Sequence, residues 1–135
     1  MRQPALALLL AACGGMKDPA SVADKFVDRY YVESDQDQAL PLTTGVAAMR
    51  LKEELGLTAE ARRNQGRGPQ MQLRQVRVYY TRKPLSGQGA AREADYDLDI
   101  RPQGGGELQR VAHLELAQQP DGTWRVSSFS ETQPR

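Results

Sequence analysis

The hydrophobic repeat of this chain changes once, across the polar stretch Asn64-Gln65-Gly66-Arg67-Gly68-Pro69. Before it, apolar residues recur at spacings of three and four, as on one face of a helix. After it they alternate, as on a strand with one side buried. Helices first and strands afterwards point to an α+β chain, with two or three N-terminal helices packed on a curved four-stranded antiparallel sheet. The chain has 135 residues, enough for one such domain and not two.

The helical half carries its own start and stop signals. Asp18-Pro19 supplies an N-cap followed by proline at the first helical position. Val22, Ala23, Phe26, Val27, Tyr30 and Tyr31 then form an apolar face that predicts one helix to about Glu33, with Asp24, Lys25, Asp28 and Arg29 on its solvated side. A second helical piece runs from Asp35 to Leu40, where Pro41 ends or kinks it. A third, from about Thr44 to Leu55, carries Val46, Ala47, Met49, Leu51 and Leu55. Gly56 stands at its C-cap, and Thr58 caps a last short helix through Arg63.

The strand half is read from its alternation. Met71, Leu73, Val76, Val78 and Tyr80 make a first strand with a phase slip near Arg74 and Gln75, the mark of a bulge. Tyr96, Leu98 and Ile100 alternate with Asp95, Asp97 and Asp99 in a second. Leu108, Ala112, Leu114 and Leu116 share one side of a third, opposite Gln109, Val111, His113 and Glu115. In the fourth, Trp124, Val126 and Ser128 point inward, which puts Phe129 on the outer face with Tyr79 and Val111. Pro84 to Arg92, Gly104-Gly105-Gly106 and Pro120-Asp121-Gly122 supply the connections.

The N-terminus is a different kind of segment. One charge, Arg2, precedes an apolar run from Ala5 to Ala12, too short to span a bilayer but long enough for the core of a secretory signal. The end of that run, Leu10-Ala11-Ala12-Cys13, resembles the lipobox of bacterial lipoproteins. That resemblance implies a signal peptide over residues 1–12, cleavage before Cys13, acylation of its sulfur and its new amino terminus, and a lipidated tether over residues 13–18. It implies a protein held on the bacterial cell envelope, since two or three acyl chains anchor stably where one does not. Gly14 stands where enteric bacteria commonly place the aspartate that retains a lipoprotein in the inner membrane, which implies the periplasmic face of the outer membrane.

Over residues 19–131 the order of elements resembles the NTF2-like (SnoaL-like, cystatin-like) α+β cone. Phe26-Val27-Asp28-Arg29-Tyr30-Tyr31 followed by Asp35-Gln36-Asp37-Gln38-Ala39-Leu40 is similar to its first two helices, and Asp121-Gly122-Thr123-Trp124-Arg125-Val126 to the hairpin into its last strand. The cone hosts isomerases, dehydratases, transport receptors and binding modules, so the resemblance implies a fold and not an activity.

Which side chains could do chemistry follows from the alternation. With Tyr96, Leu98 and Ile100 turned inward, the Asp95, Asp97 and Asp99 row and the lone histidine, His113, fall on the solvent face, where no water-excluding site can tune them. Carboxylates two apart on a straight strand spread over about 13 Å and cannot converge on one calcium ion. His113 with Glu115 provides two metal ligands, which do not make a site. No catalytic residue, metal or other cofactor is expected. The pocket candidates are Tyr80, Tyr96, Arg110 and Trp124, with Ser128 beside them.

The near-neutral total, 18 Lys and Arg against 17 Asp and Glu, gives no reason to expect nucleic acid. It conceals a basic run of Arg62, Arg63, Arg67, Arg74, Arg77, Arg82 and Lys83 with no acid among them. These residues either pair with the aspartate row of the neighbouring strand or meet anionic lipid or polymer in the envelope. The reading is thus of a non-catalytic envelope module whose partner, protein or small molecule, is unnamed. The alternatives are a SnoaL-like small-molecule enzyme and a domain that forms a homodimer through its sheet.

Overall fold

The structure is a computed structural model that describes residues 14–65 and 76–134. The expected signal segment, Cys13 and the expected bulge near Arg74 and Gln75 lie outside the described residues. After a 3-10 turn at Gly14–Lys17, helix α1 (Pro19–Val27) runs into a π-helical turn (Asp28–Val32). Helix α2 (Gln36–Ala39) passes into a 3-10 turn (Leu40–Leu42) that contains Pro41, and helix α3 (Gly45–Gln65) follows. Strands β1 (Val76–Arg82), β2 (Ala91–Pro102), β3 (Leu108–Gln118) and β4 (Trp124–Thr132) form one antiparallel sheet in sequence order. No described helix is long and apolar enough to cross a membrane.

The caps work as their chemistry requires. Asp18 accepts from the Ser21 amide at 3.3 Å and from its hydroxyl at 2.7 Å, and Asp35 accepts from the Gln38 amide at 3.1 Å. Each satisfies an amide that the first turn of a helix leaves without a backbone partner.

Helix α1 lies across the inner face of the sheet. Val22, Ala23, Phe26 and Val27 meet Tyr96, Leu98, Leu114, Leu116 and Val126 in one core to which α3 adds Ala47 and Leu51. Burying each large apolar side chain contributes about 1.5–3 kcal/mol, so this double layer is the main source of stability.

Three local expectations are corrected. Helix α3 does not stop at Gly56: it runs unbroken over 21 residues from Gly45 to Gln65, and Thr58, rather than capping a new helix, returns its hydroxyl to the Glu54 carbonyl at 2.8 Å. The predicted first helix changes register where it was expected to stay regular. The π turn lets both Tyr30 and Tyr31 pack around Phe26, with ring centroids at 5.4 and 6.4 Å, which a strict α repeat would not do. In β4 the pairing jumps from Leu116–Val126 to Glu115–Ser128, leaving Ser127 as an extra residue. The slip reverses the phase of the strand end, so Phe129 faces inward and is buried instead of lying on the outer face, and Ser128 does not point into the core.

Gly56 occupies ordinary helical backbone, and a β-carbon there would meet nothing within 4 Å. Gly56→Ala should therefore stabilise the protein by about 0.8–1 kcal/mol through helix propensity. A thermal melt should show a midpoint higher by about 4 °C; an unchanged or lower midpoint would contradict an unbroken α3.

Candidate functional site

The sequence places two tyrosines and an arginine, Tyr80, Arg82 and Tyr96, on inward-facing positions of β1 and β2, where their polar tips need partners. Register sets Arg82 opposite Tyr96. Helix α1 and its π turn bring the partners. Tyr96 donates its hydroxyl to Asp24 at 2.6 Å, Arg82 donates from Nε to the same carboxylate oxygen at 2.9 Å, and Tyr80 donates to Asp28 at 3.0 Å. The Tyr80 and Tyr96 rings meet edge to face, with centroids 5.5 Å apart. The result is a polar seam along one edge of the helix–sheet interface, with Tyr96 itself fully buried.

A second seam closes the opposite edge. Arg50 of α3 donates to Glu54 at 3.1 Å and to the Phe129 carbonyl at 3.1 Å, and its guanidinium lies 4.0 Å from the centre of the Phe129 ring. Tyr30 donates to Glu54 at 2.8 Å, and Tyr31 donates to Glu131. Phe26, Tyr30, Tyr31 and Phe129 form the aromatic cluster between these charges.

Burial first, and then hydrogen bonding to a carboxylate, raises all four phenols above the ordinary tyrosine range. Tyr80 is pushed up to about 12, and Tyr30, Tyr31 and Tyr96 rise further. Groups shifted this way stay protonated and serve as donors, not as general bases, at neutral pH. The paired carboxylates are engaged in structural bonds, so the seam as it stands is a lock between layers.

Of the pocket candidates, the structure brings together Tyr80 and Tyr96 and leaves out the other two. Arg110 sits opposite Leu98, half-buried, and donates to the carbonyl of its neighbour Gln109 at 2.9 Å. Trp124 lies at the far end of the sheet, paired with Gln118 and buried beneath the Arg92 guanidinium, 5.2 Å from its ring.

The basic run does not gather into one patch among the described residues. Arg63 is on α3, Arg77 and Lys83 are on the outer side of the sheet, and Arg82 is turned inward to Asp24. Among the described residues, the expected pairing with the aspartate row is made only by Lys83, which reaches Asp97 at 3.6 Å. Asp99 is held instead by Arg101 at 2.7 Å and Asp95 by His113 at 2.6 Å. Arg67, Arg74 and the side chain of Arg62 lie outside the description.

Asp24 and Asp28 are the residues that sequence reasoning missed, having set them on the solvated side of α1. A signal existed in the strands: inward tyrosine and arginine tips require acceptors, and Asp24 stands beside Val27 on the helical wheel. What no pattern carried was the π turn, which fixes the path of the helix at Asp28.

Among the described residues, no group of three or more His, Cys, Asp or Glu is arranged to hold a metal ion. No protein-family model matches the chain, and no curated protein or solved structure matches it significantly. The fold is therefore established by its own geometry, an α+β cone of three helices on a curved antiparallel sheet.

The seams make stability depend on alkaline pH in a defined direction. Phenols whose folded value exceeds the unfolded value near 10 bind more protons in the folded state between the two values, so stability is whole below pH 10 and falls as pH rises toward 12. Tyr96→Phe should lower stability at neutral pH by about 1.5–2 kcal/mol, since Asp24 loses a buried donor. It should also make the alkaline loss shallower. Urea melts at pH 7, 10 and 11.5 read both effects, and parallel pH profiles for the two proteins would count against this seam.

Proposed function

We propose that this protein is a lipid-anchored module of the bacterial cell envelope, with an NTF2-like cone that binds or positions a partner without catalysis. The observation that carries the anchoring is the succession, within a few residues, of an apolar run, Leu10-Ala11-Ala12-Cys13 and the capped start of a folded domain at Asp18-Pro19. A thiol at the end of a short apolar segment is a nucleophile placed for acyl transfer. The few residues before α1 leave a tether that keeps the domain close to the surface holding the lipid.

The binding role draws its support from the state of the polar groups on the inner side. In the seam between α1 and strands β1 and β2, Asp24, Asp28, Tyr80, Arg82 and Tyr96 are bonded to one another, and the phenols are held protonated. An acid–base catalyst needs a group near its working pH that is free to exchange a proton with substrate. A seam that satisfies itself supports a rigid scaffold whose surface does the work.

Growth of bacteria expressing the full chain with a radiolabelled fatty acid should label this protein, and Cys13→Ala should abolish the label and release the protein from the membrane fraction. Equal labelling of the Cys13→Ala chain would remove the anchoring from this reading. Binding measured on the unlipidated chain tests the scaffold role separately.

A further inference from the structure

The start of β1 and the turn between β2 and β3 form one tip of the sheet, and on the outer side of that tip lies a groove of about 330 Å³ lined by Arg77, Tyr79, Arg101, Pro102 and Gln103. Its size falls at the small end of small-molecule sites. Antiparallel register sets Arg77 directly opposite Arg101, both outward. The acids beside this pair compensate Arg101, so Arg77 presents the charge that has no ion-pair partner among the described residues.

Arg101 is fixed before any ligand arrives. It donates to Asp99 at 2.7 Å, lies 3.5 Å from Glu107, and stacks over Tyr79 with its guanidinium carbon 5.0 Å from the ring centre. None of the described residues forms an ion pair with Arg77. The two arginines and two acids sum to zero charge, so the groove is not a diffuse cationic patch that attracts any polyanion. Recognition here rests on directed donors, the Arg77 fork, the one Arg101 nitrogen that Asp99 and Glu107 leave free and the Gln103 amide, beside an apolar wall from Tyr79 and Pro102.

Direction excludes one source of anions. Lys17, just before α1, comes close to Gly122 in the β3–β4 turn, whereas the groove is at the other end of the strands. Strand β2, with 12 residues, separates the two ends by roughly 35 Å. The described start of the chain, Gly14–Lys17, therefore lies toward the end of the strands opposite the groove, which is where the anchoring proposed above would hold the domain.

We infer that the groove binds a small soluble organic oxyanion, a phosphate or carboxylate carried on a flat apolar body. The inference names a ligand class for the binding role above and rests on that reading only for the direction the groove faces. The full-length Cys13→Ala chain, which carries no lipid, tests it independently of anchoring. Isothermal titration with phenyl phosphate and with benzoate should show saturable binding of at least one, with phenol, the uncharged probe, failing to bind. Arg77→Gln, a change at an exposed side chain, should weaken binding at least about ten-fold, the size of one lost charge-assisted hydrogen bond. Arg101→Gln should weaken it similarly, with circular dichroism confirming that both variants fold. Absence of saturable binding at millimolar probe, or binding unchanged by Arg77→Gln, overturns the assignment. Arg77-dependent binding to phosphatidylglycerol vesicles with no response to either soluble probe also overturns it, giving the site to a lipid headgroup.

Discussion

Everything in this fold depends on α1 covering the inner face of the sheet. Alternation makes that face continuously apolar from Tyr96 and Leu98 through Leu114 and Leu116 to Val126, and a sheet with such a face is stable only when something apolar lies on it. Val22, Ala23, Phe26 and Val27 supply the cover. Aspartate on the reverse face of β2, capping at Asp18 and the turns between strands all follow from, or serve, that one contact.

The contact is sealed along both edges by charge. On one side Asp24 and Asp28 take the tips of Tyr80, Arg82 and Tyr96, and on the other Arg50 and Glu131 bracket Tyr30, Tyr31 and Phe129. Such partly buried bonds add modestly to stability, while leaving one of them half-made is costly. Their larger effect is to fix the angle at which the helix crosses the strands, because shifting α1 by a residue would strand an acid or a phenol without a partner. The π turn belongs to this arrangement. It spends one irregular turn to direct both Tyr30 and Tyr31 at Phe129 while keeping Asp28 within reach of Tyr80.

The outer face is organised lengthwise. Toward the start of β2, Glu93, Asp95, Asp97 and Glu115 make it acidic, with His113 between them within 4.0 Å of Glu93 and Glu115. Toward the β2–β3 turn, Arg77 and Arg101 face each other across the strands. The Gly14–Lys17 turn that precedes α1 lies toward the acidic end, and Arg77 and Arg101 are presented at the other.

Much of this was legible without coordinates, and for physical reasons. Local periodicity carries the existence, type and order of the elements, the inward row of β2 and the cap at Asp18, because those depend on neighbours a few residues away. It misled at Gly56, which reads as a stop although its backbone keeps the ordinary helical conformation and α3 runs on to Gln65, an interior glycine costing a helix only about 1 kcal/mol. Phe129 reads as outward because an inserted residue in β4 leaves no trace in an alternation only a few residues long. Trp124 and Tyr80, both candidates for one pocket, stand on the opposite edge strands β4 and β1, since nothing in a linear pattern states which strands lie side by side. Sequence by itself determined the layer order, the buried faces and the chemistry of Cys13's surroundings, all consequences of short-range spacing. Only the tertiary structure decided which acids meet which tyrosines, which way Phe129 turns and that Arg77 faces Arg101, because each depends on the register between segments far apart in the chain.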